Sequence, residues 1–135
     1  LDIDDRVDLG LLTPEEAEAE HRDRTELRGA LVKHLKQARR LEPSEADDSA
    51  DADDRALRAI HAAVLEELAD SDAGFVLATL EDLWLEESPQ NTPGTSEERL
   101  NWRRRCARSI EQIEQDQSVA EPLRRVARQR RMAGS

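Results

Sequence analysis

A chain of 135 residues with a formal net charge of -11, 38% charged residues and 2% aromatic residues has the length of one small domain. The acidic balance argues against non-specific nucleic-acid binding, the lone Cys106 rules out an internal disulfide and a cysteine-based zinc site, and no apolar run approaches the ~18 residues that span a bilayer. The apolar residues are mostly Leu and Ala, so the palette is helical, the chain's own core is expected to be thin, and some apolar faces are expected to meet a partner surface.

Leu1 to Leu12 is short and mixed: Asp2, Asp4, Asp5 and Asp8 stand among Ile3, Val7 and Leu9 until Gly10 breaks the run. Thr13 is a good N-cap, Pro14 takes the first helical position and Glu16 completes a capping box. The predicted helix runs from Pro14 to about Arg40, with Leu27, Leu31, Leu35 and Ala38 at helical spacing. Gly29 costs it about 1 kcal/mol relative to Ala. Residues 42–54 read as an acidic linker, with Pro43, Ser44, Ser49, seven acids and no basic residue. A second helix starts near Asp53 or Asp54, and Leu57, Ile60, Val64, Leu65 and Leu68 make its apolar stripe. Asp70 to Gly74 ends it.

Phe75 to Leu80 is a continuous apolar run and predicts one buried β-strand with both faces covered. A lone strand cannot satisfy its own backbone, so it requires neighbours that the rest of the sequence does not offer. Glu81 to Leu85 reads as a short turn or helix and Glu86 to Thr95 as an irregular loop. Ser96 caps a short helix through Leu100, and another helix runs from Asn101 to about Gln115. The last helix spans about Ser118 to Arg131, with Val119, Leu123, Val126 and Ala127 on one face and Pro122 near its first turn. The fold class is mainly α with one buried β-strand. Residues 1–70 form a helical segment that includes the acidic linker, and residues 75–131 carry the strand, a loop and the terminal helices.

Few residues point to chemistry. In Asn91-Thr92-Pro93-Gly94-Thr95 the amide offers a donor and acceptors, and Gly94 permits close backbone approach, yet Pro-Gly is also an ordinary turn dipeptide. Glu81 and Asp82 are sequence neighbours that point in different directions and read as a capping and turn-forming pair. Trp102 reads as a buried anchor for a helix start, with a sugar-stacking platform as the other reading. Arg103, Arg104, Arg105 and Arg108 read as a solvated face. The acids at Asp47, Asp48, Asp51, Asp53 and Asp54 do not make a calcium loop, because its sixth and twelfth positions hold Ala52 and Arg58. His21, His34 and His61 have no paired ligand at i+4, and Cys106 has no His nearby in sequence, so neither a metal site nor a thiol nucleophile is expected.

One ordered set of motifs is specific. Leu80-Glu81-Asp82-Leu83, then Gln90-Asn91-Thr92-Pro93-Gly94-Thr95, then Asn101-Trp102-Arg103-Arg104-Arg105 resembles the last stretch of a 4-alpha-glucanotransferase of the amylomaltase (disproportionating enzyme) family. The resemblance covers residues 75–131 closely and 1–12 loosely. It departs from the family at Leu100, where Pro is frequent, and at Thr92, where an apolar residue is more usual. It implies the C-terminal fragment of a (β/α)8 TIM-type barrel α/β enzyme whose eighth strand is Phe75 to Leu80. It implies transfer of alpha-1,4-glucan segments between maltooligosaccharides or starch or glycogen chains, through a covalent glycosyl-enzyme, in the cytoplasm and without metal or organic cofactor. The partners implied are the glucan and the remainder of the barrel upstream of Leu1, with no nucleic acid and no membrane. Asn91, Pro93, Gly94 and Thr95 become the substrate-binding candidates. The catalytic acids are expected upstream of Leu1 and none in this chain, so the isolated chain is expected to be inactive. The rival reading is a standalone acidic helical protein-interaction module without catalysis.

Overall fold

A computed structural model describes residues 2–42, 54–99 and 101–133. Among these residues all regular structure is helical: α1 (Asp2–Asp8), α2 (Pro14–Gln37), α3 (Asp54–Ala69), a 3-10 turn at Glu81–Trp84, α4 (Ile110–Gln115) and α5 (Gln117–Ala133). The chain divides into two compact units, one made of Leu1–Arg28 and Glu86–Ala107, the other of Gly29–Leu85 and Arg108–Ser135.

In the first unit, Asp2, Asp4 and Asp5 occupy the first turn of α1, where the helix dipole favours negative charge. Ile3 is fully buried. The capping box at the start of α2 forms as the sequence dictates: the Thr13 N–H donates to Glu16 Oε2 at 2.8 Å, and the Glu16 N–H donates to Thr13 Oγ1 at 3.2 Å. That backbone N–H, followed by the Thr13 hydroxyl, holds the Glu16 carboxyl below the usual carboxylate range. Two ion pairs and a histidine–carboxylate contact tie α1 to α2. Arg24 donates two bonds of 2.6 Å to the two oxygens of Asp2, Arg6 pairs with Glu20, and His21 Nε2 lies 3.2 Å from Asp4 Oδ1. Exposed pairs of this kind contribute little singly, but the bidentate Arg24–Asp2 geometry fixes an orientation.

The second unit holds the larger core, in two clusters. Val32, Leu35 and Leu41 pack with Ile60 and Ala63 of α3. Leu65 of α3 packs with Leu83 and Trp84 of the 3-10 turn and Val119 of α5, with Ile113, Leu123 and Val126 at the margin. Arg58 donates to the Leu83 carbonyl at 2.8 Å, and Leu85 closes the turn in the left-handed region at φ 59°. The Arg108 guanidinium lies 5.2 Å from the centroid of Trp84, within cation–π range, and also pairs with Asp116. Arg40 bonds Glu67 at 3.1 Å and pairs with Asp70. No helix among the described residues is long and apolar enough to cross a membrane.

Three expectations change. The buried β-strand at Phe75 to Leu80, and with it the eighth strand expected of a TIM-type barrel, is overturned: residues 75–79 are irregular, and no strand occurs among the described residues. Phe75 and Leu77 are each 90% exposed, while Ala78 packs at the margin of the second cluster. The physical reason is pairing. With no adjacent ladder to take its N–H and C=O groups, apolar content alone cannot hold the run inside. The expected helix from Asn101 is confined to Ile110–Gln115, because Ser109 begins it with a capping box to Gln112. Ser96 to Arg99 forms turns rather than a helix. The ends of α2, α3 and α5 lie within a few residues of expectation, and Pro122 is accommodated inside α5. Positions 43–53, the body of the acidic linker, lie outside the described residues.

Candidate functional site

The loop around residues 90–102 is organised by one side chain. The Thr92 N–H donates to Asn101 Oδ1 at 2.8 Å. Asn101 Nδ2 in turn donates to the Thr95 carbonyl at 3.1 Å and to Thr95 Oγ1 at 2.9 Å. The Thr95 hydroxyl donates to the Thr92 carbonyl at 2.7 Å, which closes the turn across Pro93 and Gly94. A second tie runs from the Trp102 N–H to the Gln90 carbonyl at 2.8 Å. An amide suits this position because it offers an acceptor and two donors on one rigid plane. Thr92, buried to 8% exposure, is the only buried polar residue among those described, and its backbone donor is satisfied.

Gly94 sits at φ +85°, a left-handed conformation that a residue with a Cβ adopts at a cost. A Cβ there would lie 3.4 Å from Leu11 Cδ1, so the loop also rests against the segment before α2.

Beside the loop lies a cleft of about 410 Å³, whose walls include Asp5, Thr92, Arg99, Asn101, Arg103 and Arg104. Arg99 bonds Asp5 at 2.9 Å. Arg104 bonds Glu86 at 3.0 Å and the Ser88 carbonyl at 2.6 Å. The Glu86 carboxyl is held below the usual range, first by the Ser88 backbone N–H and then by Arg104. Two of the three arginines in the wall are therefore neutralised by carboxylates.

Of the four residues singled out in sequence, Thr95 is bonded to the clamp, Pro93 and Gly94 are exposed in the turn it closes, and Asn91 is half-buried at its entry. None of the four lines the cleft; Thr92, between them, does. Among the described residues no hydrogen bond engages the Asn91 side chain. Asn101 is the residue that sequence reasoning missed, having been read as the start of a helix. Its signal was an isolated amide six residues beyond a Pro-Gly-Thr turn, a spacing at which one side chain spans the turn. Trp102, expected as a buried anchor, is instead 76% exposed. Glu81 and Asp82 fall in the 3-10 turn of the second unit. Among the described residues no group of His, Cys, Asp and Glu is arranged to hold a metal ion.

Comparison with curated proteins and with solved structures finds no match. A family model described as 4-alpha-glucanotransferase matches residues 17–111, well over half of the 135 residues and inclusive of the loop, its Asn101 clamp and the cleft's arginines. On a match of that extent the chain belongs to the 4-alpha-glucanotransferase family.

Proposed function

We infer that the chain supplies glucan-contacting surface to an enzyme that moves alpha-1,4-glucan segments between maltooligosaccharides or starch or glycogen chains. The observation that carries this reading is the Asn101 clamp together with the unengaged Asn91 amide. The clamp holds the turn in one conformation before any ligand arrives, so little ordering entropy is lost on binding. The Asn91 amide then offers a donor and acceptors to a sugar hydroxyl. Gly94 lets a sugar approach the backbone, and Pro93 and Thr95 set the shape of the turn. In this reading residues 1–70 are scaffold, residues 75–131 carry the substrate-side loop and terminal helices, and the resemblance to amylomaltases supports a cytoplasmic enzyme.

Transfer with retention requires a nucleophile and an acid/base about 5 Å apart. We place those carboxyls outside this chain. Glu86 is held as a carboxylate by its donors, a state unsuited to a general acid. Glu81 and Asp82 are adjacent on one short turn. The isolated chain is therefore expected to release no glucose from maltotriose.

The test is Asn91→Ala in the intact enzyme. Loss of one neutral hydrogen bond to sugar lowers kcat/KM on maltooligosaccharides about threefold to tenfold, with the fold retained. An unchanged kcat/KM would leave the loop a plain turn.

A further inference from the structure

Trp102 is held where ordinary packing would not put it. It is 76% exposed, whereas Trp84, the chain's other tryptophan, is 8% exposed in the core. Its backbone sits at φ 59°, a left-handed conformation disfavoured for a side chain with a Cβ, and the bond from its N–H to the Gln90 carbonyl pins it there. A large aromatic ring in water on a disfavoured backbone gains nothing for the fold and points to a ligand. The neighbours on either side in sequence, Asn101 and Arg103, both line the 410 Å³ cleft. Among the described residues Arg103 has no hydrogen bond or ion pair, so its guanidinium donors are open.

The chemistry selects the ligand. The axial C–H face of a glucose ring is flat and apolar and matches an indole face, while its equatorial hydroxyls take planar N–H donors at the ring edge. Arg99 is paired to Asp5 and Arg104 to Glu86, so one positive charge, on Arg103, stays open at the cleft, and the apolar indole face between Asn101 and Arg103 in sequence selects a sugar ring over a bare phosphate. Resting on the glucan reading above, we propose that Trp102 is a stacking platform for one glucose unit of an alpha-1,4-glucan and that Arg103 donates hydrogen bonds to that unit's hydroxyls.

The test is calorimetric titration of the 135-residue chain with maltoheptaose, alongside Trp102→Gly, Trp102→Phe, Arg103→Ala and Asn91→Ala. Trp102→Gly suits the left-handed backbone, so the variant unfolds at no lower temperature, yet it binds roughly tenfold more weakly. Trp102→Phe, which keeps a ring, recovers most of the affinity. Arg103→Ala weakens binding severalfold. The native chain's tryptophan emission shifts to the blue on titration, since Trp102 is the exposed indole. Equal binding by Trp102→Gly and the native chain overturns the platform while leaving the glucan reading in place. Equal binding by all variants except Asn91→Ala places the sugar on the loop alone. No heat and no emission change from the native chain overturns both.

Discussion

Asn101 and Thr92 are joined by a 2.8 Å bond from a buried backbone N–H to a side-chain oxygen, nine residues apart in sequence. Nothing else in the described structure satisfies that donor, and the same amide holds Thr95 from its other end. The conformation of the Thr92–Thr95 turn therefore depends on a side chain outside that turn.

Asn101→Ala leaves the Thr92 N–H buried and unpaired. We expect a loss of about 1–3 kcal/mol, the cost of an orphaned buried donor, confined to the first unit. Amide exchange at Thr92 and Thr95 should accelerate while Leu65 and Val119 in the second unit keep their protection. Asn101→Asp keeps the acceptor for Thr92 and loses the donors to Thr95, so its effect should be smaller. Unaltered exchange at Thr92 in the alanine variant would remove the clamp from the account.

The exposed run makes the opposite prediction. Phe75→Ser and Leu77→Ser replace side chains that are each 90% exposed, so each should change stability by no more than about 0.5 kcal/mol in urea unfolding. Leu83→Ala, by contrast, empties a site that is 2% exposed between Leu65, Trp84 and Val119 and should cost about 2–5 kcal/mol. A large loss from Phe75→Ser would mean that this residue is covered in solution.

The helices were legible in the sequence because their signals are local. The Thr13–Glu16 box starts α2, and in the α3 stripe Ile60 and Leu65 are buried while Leu57 and Leu68 at its ends are exposed. The start of α4 was also written in the sequence, as Ser109 and Gln112 at capping-box spacing, a signal that the expected start at Asn101 passed over. The strand failed for a non-local reason: apolar content describes what a strand would bury and says nothing of the ladder it needs. In the candidate site, Gly94 was legible from its turn chemistry. The Asn101 clamp and the outward Trp102 were not, because each depends on where a residue some ten positions away comes to rest.

The Asp2–Arg24 pair predicts a response to acid. The two guanidinium bonds are the largest cause that pulls the Asp2 carboxyl from 3.8 to about 2. A folded value below the unfolded one means that the pair's contribution is fully present above the unfolded value of 3.8 and is lost as pH falls through about 2. With Arg24 and Asp2 side chains about half exposed, that contribution should stay under ~1 kcal/mol. Carbon-detected NMR titration of Asp2 checks the value, and Arg24→Gln should return it toward the ordinary carboxylate range. An Asp2 titration unmoved by Arg24→Gln would contradict the pair.

Whether this loop meets glucan is tested most directly by mapping backbone amide shifts of the labelled chain as maltoheptaose is added. The account predicts dose-dependent shifts at Asn91, Gly94, Thr95 and Trp102, with α3 and α5 unmoved, and no such shifts with a cello-oligosaccharide of equal length. Shifts confined to α3 and α5, or an unchanged spectrum at saturating glucan, would contradict it.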